Sequence, residues 1–354
     1  MANKKNKNWI IYFLLAVATL LIMKSVSDNE IQPLQKAAKE PTKVKPPTPK
    51  NIITKPSKKA KSQINNVKYE TYSVEHVYPG QDYFDDNTCN TDEKRASYKP
   101  LLKETINSLN QQYQHFYYKV SDYLKLNVYA VQMTTYFEKE LIERIKFLHQ
   151  EYIKLLGKSA KREINVNLII SPERSDYLND TAFFSTNLDT TIGVYFGGLN
   201  LAFVDYQQSD DKALKTAIHE TSHALSAHII GRTPRMFSEG MAEFYEDMIV
   251  KEGKVEIVFY KKQLKKEPYP IMQFFDSQQW SSLNVQHLYY SSWAWIAFMY
   301  GDNKRLESLV SFMKNEQINP CSAFSAGESY KIFQEEYSNF ETDFYHWQKS
   351  MNND

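Results

Sequence analysis

The chain predicts an α+β fold: a small mixed sheet packed on a helix, followed by a mainly helical C-terminal lobe. Three observations carry that expectation. Ile164 to Ile170 alternates and then runs apolar into Ser171-Pro172, as a strand with one well-covered face does. Thr191 to Phe196 and Leu199 to Val204 read as two more strands flanking Gly197-Gly198, a hairpin or bulged turn. From Lys212 to Asn352 the residues read as mostly helices, and strands first with helices afterwards is an α+β order.

The elements follow in chain order. Lys4, Lys5 and Lys7 precede an unbroken apolar stretch from Trp9 to Met23, so residues 1–27 read as a signal anchor. As a helix that stretch reaches roughly 22 Å, and it spans a hydrocarbon core of ~30 Å only with Trp9 and Lys24 at the interfaces. The expected state is a membrane-anchored protein with its folded part outside the cytoplasm, periplasmic or at the cell surface. Ser25-Val26-Ser27 offers an alternative, cleavage to a secreted form. Residues 28–66, rich in Lys and Pro, read as an extended, disordered tether.

Charge divides the same way. Residues 1–66 hold thirteen lysines against three acids, and the remainder thirty basic against thirty-nine acidic residues, so the overall charge of +1 conceals a basic leash on an acidic body. An acidic body argues against nucleic acid as a partner. Cys89 and Cys321, both in polar, turn-rich surroundings, suit one disulfide in an oxidising compartment, with two free thiols as the alternative. Residues 67–135 are expected to be a mostly helical region of unknown role, with Tyr98 to Leu126 at helical spacing. The main domain is expected over 136–354, opening on a helix from Thr134 to Leu156 that Gly157 stops.

Chemistry concentrates in His219-Glu220-Thr221-Ser222-His223. Imidazoles four residues apart share one helix face and can share a metal ion, for which Zn2+ is the natural guest of imidazole nitrogen and carboxylate oxygen. Glu220 can approach a water at the open position. A second helix is expected to open at Ser238 as N-cap and to carry Glu239 and Glu243, four apart on one face. Glu239 then completes the metal set, and Glu243 hydrogen-bonds the far nitrogen of a ligand histidine. His115, His149, His228 and His287 read as core or surface histidines, and Trp293 and Trp295 as core.

These residues resemble the gluzincin metallopeptidases, the clan of thermolysin and the membrane alanyl aminopeptidases, in which His-Glu-x-x-His is followed by a Glu on a later helix. They are most similar to a little-characterised bacterial group with that zincin-like fold, whose Glu-Gly-x-Ala-Glu segment is matched by Glu239 to Glu243 and whose later Tyr-x-x-Ser helix is matched by Tyr289 to Ser292. The resemblance covers about residues 143–348, including closing helices near Phe333 to Tyr337 and Phe340 to Trp347. Fifteen residues separate His223 from Glu239, fewer than in thermolysin or the aminopeptidases, and no Gly-x-Met-Glu-Asn exopeptidase signature is present.

The resemblance implies zinc-dependent hydrolysis of a peptide or protein substrate. His219, His223 and Glu239 hold one Zn2+, Glu220 is general base, and Tyr289, with Tyr290 as the adjacent alternative, steadies the oxyanion. A substrate chain is expected to add alongside Gly193 to Phe196 or Leu199 to Val204. Two rivals stand beside this reading: a non-catalytic peptide- or protein-binding module on the same scaffold, and a structural envelope protein with a fortuitous motif.

Overall fold

Five strands pair in one mixed sheet, in the order β1-β2-β3-β5-β4, among the residues that the computed structural model describes: 96, 98–182, 184, 188, 191–251, 254–257 and 266–352. All of these lie in one compact unit, Tyr69–Asp354. Helix α1 (Lys99–Gln112) leads into the hairpin of β1 (Gln114–Lys119) and β2 (Leu124–Ala130). Helix α2 (Thr135–Leu156) then crosses to β3 (Ile164–Ser171), which lies parallel to β2. After α3 (Arg174–Ala182) comes the hairpin of β4 (Gly193–Phe196) and β5 (Leu201–Asp205), with β5 parallel to β3 and β4 antiparallel at the edge.

The expected helix across Tyr98 to Leu126 is corrected here: it ends at Gln112, and the residues beyond it form β1 and the start of β2. The boundary at residue 135 falls with it, because β2 pairs with β3 from Leu124↔Ile164 to Ala130↔Ile170, so the sheet needs residues from both sides. The periodicity misleads because β1 shows no clean alternation of apolar and polar side chains: none of its residues is buried, and only Phe116 and Tyr118 are half-buried. It is held by its hydrogen-bonded ladder to β2. The helix from Thr134 and the three expected strands agree with expectation to within two residues, whereas α3 and a strand pair within residues 248–257 were not expected. Helix α2 is capped by Thr134, whose hydroxyl accepts from the Phe137 N–H, and it stops at Gly157 with φ 64°.

Alternation on β3 separates the two layers. Ile164, Val166, Leu168 and Ile170 face the main core with α2, whereas Ile169 joins Tyr129, Leu201, Phe203, Tyr177 and Leu109 on the α1 side. Helix α4 (Asp210–Ile229) carries the histidine motif. Ser209 caps it by accepting from Lys212 N–H, and Asp210 and Asp211 complement its N-terminal dipole. It is buried on nearly every side, and small residues such as Ala213, Ala217, Ala224 and Ser222 let its neighbours approach.

Helix α5 (Arg235–Glu246) follows, then the two-stranded pair β6 (Met248–Lys251) and β7 (Lys254–Ile257), and then α6 (Ile271–Phe275), α7 (Val285–Tyr300), α8 (Asn303–Ile318), α9 (Ala326–Glu336) and α10 (Phe340–Asn352). Gly240 lets α5 and α7 touch: a Cβ there would lie 2.7 Å from the Ser292 carbonyl oxygen and 2.8 Å from Ile296 Cγ1. Trp293 and Trp295 are core residues, as expected. Trp295 has Phe275, Phe333, Phe340 and Phe344 around it at centroid distances of 5.2–5.6 Å, which ties α7 to the last two helices.

The expected anchor (residues 1–27), the tether (28–66) and Cys89, and with Cys89 the pairing to Cys321, lie outside the described residues. Among the described residues, no helix is long and apolar enough to cross a membrane.

Candidate metal centre

Helices α4 and α5 meet so that three ligand-type atoms converge. Both His219 Nε2 and His223 Nε2 lie 3.4 Å from Glu239 Oε2, and the two imidazole centroids are 4.9 Å apart. A tetrahedral ion with bonds of about 2.0–2.2 Å would place its donor atoms about 3.3–3.6 Å from each other, and both distances to Glu239 have that spacing.

The outward nitrogens are also engaged. His219 Nδ1 lies 2.9 Å from Glu246 Oε2, and His223 Nδ1 lies 2.8 Å from Ser238 Oγ. An Nδ1–H donated to these oxygens leaves each Nε2 lone pair free for a metal. Two expectations change at this point. Glu246, not Glu243, meets the far nitrogen of His219: both share a helix face with Glu239, and the rotation of α5 against α4 brings the later one to the imidazole. Ser238 is not the N-cap: α5 begins three residues earlier after Pro234, so Ser238 sits inside the helix, facing His223. Glu243 stays in the cleft, and burial, reinforced by the charge of Glu246, pushes its carboxyl up to about 8.

Electrostatics favour a cation. Glu220, Glu239, Glu243 and Glu246 converge on two imidazoles. Burial opposes charge on His219, yet its hydrogen bonds to Glu239 and Glu246 override this and hold its pKa well above the usual imidazole value. Burial likewise opposes the Glu239 carboxylate, and the two histidines hold its pKa well below the usual range. A surplus of carboxylates that keeps a histidine protonated would be neutralised equally well by a divalent ion.

Glu220, 5% exposed, lies beside the trio on α4, and burial raises its pKa despite the neighbouring histidines. Its carboxylate is pressed by β4: a Cβ on Gly193 would lie 2.5 Å from Glu220 Oε1 and 2.5 Å from Thr216 Cγ2. A cleft of about 860 Å³ opens over the site, bounded by β4 residues Gly193 to Tyr195 on one side and by Tyr289 on the other. Among the described residues β4 has no strand on its outer side, whereas β5 is paired on both, so only the first of the two expected strands is open to another chain.

Tyr289 and Tyr290 part company. Tyr289 lines the cleft with its ring edge-on to His219 at 6.5 Å between centroids, and burial together with the Glu239 charge raises its pKa. Tyr290 turns away, and its hydroxyl donates to the Lys266 carbonyl at 2.5 Å. His115, His149, His228 and His287 bond elsewhere, to Asn127, Ser121, the Ala224 carbonyl and the Glu267 carbonyl. Sequence reading took Gly193 only as part of a substrate-binding strand, without its contact to Glu220, and overlooked Arg235; both lie in the cleft wall. A glycine at the start of an expected strand is the signal that could have found the first.

Compared with known proteins, the chain matches no protein-family model, and no curated protein is significantly similar to it.

Proposed function

We propose that this protein is a zinc-dependent peptidase of the gluzincin type, with a zincin-like fold. The observation that carries the proposal is the convergence of His219 Nε2 and His223 Nε2 on Glu239 Oε2 at 3.4 Å each, with buried Glu220 beside them under an open strand edge. Two imidazoles and one carboxylate are a donor set that suits Zn2+ and leaves a position open. When bound there, the ion lowers the pKa of water and polarises a carbonyl.

The chain's own residues supply the rest. Unpaired backbone groups of β4 hydrogen-bond an extended substrate and present its scissile carbonyl to the site. Glu220 takes a proton from the attacking water and delivers it to the leaving amine as the C–N bond breaks and the C–O bond forms, and the burial that raises its pKa suits both tasks. Tyr289 donates its O–H to the carbonyl oxygen as negative charge develops there. Glu246 and Ser238 keep both histidines in the tautomer and orientation that binding needs. Residues 1–27 we read as a membrane anchor and 28–66 as a tether, which put the peptidase outside the cytoplasm.

The test is metal content of the full chain, wild type beside Glu239→Ala, with cleavage of a peptide library by the same samples. One zinc per chain that is lost in the variant, together with cleavage by the wild type alone, is the expected result. No zinc in the wild type overturns the reading, and zinc without cleavage leaves a binding module.

A further inference from the structure

The cleft is polarised along α5. Glu243 and Glu246 stand towards its C-terminal end, and Arg235 opens its first turn, with Arg232 just before the helix in the same cleft wall. We propose that Arg235 is a specificity-determining residue that selects peptides carrying an acidic side chain one or two residues from the scissile bond. This rests on the peptidase reading above.

Arg235 is placed to be a recognition group. Its side chain is 45% exposed, and its guanidinium carbon lies 4.6 Å from the centroid of the Trp280 ring. That ring is fixed in turn, 4% exposed with its indole N–H donated to the Phe274 carbonyl at 3.1 Å. An arginine laid on a rigid aromatic surface is pre-organised, so little freedom is lost when its planar fork meets a carboxylate. The loop before it is held as well, since the Arg232 N–H donates to the Pro320 carbonyl at 2.7 Å.

Arg235 neighbours the uncharged Tyr289 hydroxyl, and its charge is only loosely matched by a carboxylate. Its salt-bridge partner among the described residues is Glu239, with Nε to Oε1 at 3.6 Å, beyond a good hydrogen bond. Glu239 meanwhile stands 3.4 Å from both histidines, and a carboxylate that ligates a dication has little charge to spare for a neighbour. The arginine's field is then directed at what enters the cleft. An extended peptide advances about 3.3 Å per residue, so a side chain reaching the guanidinium belongs to a residue one or two places from the carbonyl held at Glu239. Towards the other end of the cleft the Glu246 carboxylate would repel an acidic side chain, which makes the preference one-sided.

A simpler role is that Arg235 merely braces Glu239, and the experiment separates the two. Peptides of one sequence, carrying Glu, Gln or Lys at each position within two residues of the cleavage site, are assayed with the full chain as wild type, Arg235→Gln and Arg235→Glu, with zinc content measured on each. The wild type should favour Glu over Gln about tenfold in kcat/KM at positions on one side, the usual yield of one charge-assisted hydrogen bond. The ratio should fall to near one in Arg235→Gln and turn toward Lys in Arg235→Glu, with one zinc retained throughout. A wild type indifferent to the charge, or an Arg235→Gln protein that keeps the wild-type Glu:Gln ratio, overturns the proposal. Fluorescence anisotropy of the same peptides on Glu220→Gln, with and without Arg235→Gln, reads the preference without turnover. If the wild type binds zinc yet cleaves nothing, hydrolysis fails as a reading, while tighter binding of the Glu peptides that depends on Arg235 still supports the assignment and equal binding removes it.

Discussion

Replacing Gly193 by alanine probes the contact between β4, the proposed substrate edge, and Glu220, the proposed general base. The added Cβ would stand 2.5 Å from both Glu220 Oε1 and Thr216 Cγ2, where ordinary contact begins at 3.4 Å. Either β4 moves outward or the Glu220 carboxylate swings aside, in both cases by about 1 Å. The stability cost of such local overpacking is about 1–3 kcal/mol, and an edge strand can yield at the lower end of that range. Function is more sensitive, since a misplacement of about 1 Å between reacting groups costs on the order of 100-fold in rate. His219, His223 and Glu239 belong to α4 and α5 rather than β4, so zinc should stay. The assay is kcat and KM on a peptide found by library cleavage, with zinc content and thermal midpoint on the same preparation. Gly327→Ala is the control: nothing lies within 4 Å of that Cβ, and alanine there should leave rate and metal unchanged. A folded, zinc-loaded Gly193→Ala protein with kcat/KM within threefold of wild type would show that Glu220 does not act beside this strand.

Further outcomes follow from other contacts. Glu246→Gln should weaken zinc binding about 10- to 100-fold in a chelator competition, and Glu243→Gln should weaken it less, because Glu246 is the carboxylate that meets His219 Nδ1; equal losses would undo that distinction. Tyr289→Phe should lower kcat about 100-fold with zinc retained, whereas Tyr290→Phe should leave it near wild type, and the reverse order would move the oxyanion donor to Tyr290. Trp295→Ala, which empties the centre of the aromatic cluster, should cost about 3–5 kcal/mol in denaturant unfolding, and a cost below 1 kcal/mol would contradict its place there. Glu316 is 1% exposed, its Oε2 has no hydrogen-bond partner among the described residues, and burial pushes its pKa up to about 8. The folded state therefore holds this proton more tightly than the unfolded chain does, and Glu316 costs stability progressively as pH rises from about 4.5 to about 8. Glu316→Gln should flatten that decline, with a ceiling of about 4–5 kcal/mol at high pH; an unchanged pH profile would show that the carboxyl is not buried as described.

What could be read from residues alone was whatever repeats along the chain with a local period. His219 and His223 share a helix face because 3.6 residues make a turn, β3 shows its strand period, and Thr134 and Gly157 mark the ends of α2 by their own backbone chemistry. These determined the α+β layout, most of the elements and the metal-ligand candidates. Tertiary structure decided what depends on residues far apart. β1 lacks clean alternation because its stability comes from pairing with β2, and residues 114–130 belong to the sheet only through β3, more than thirty positions on. Whether Glu243 or Glu246 meets a histidine, and whether Tyr289 or Tyr290 faces the cleft, turns on how α5 and α7 are rotated against α4. Gly240 and the aromatic cluster around Trp295 set how closely those helices approach. Local pattern places a residue on a face of its own element, and only packing decides which neighbour that face meets.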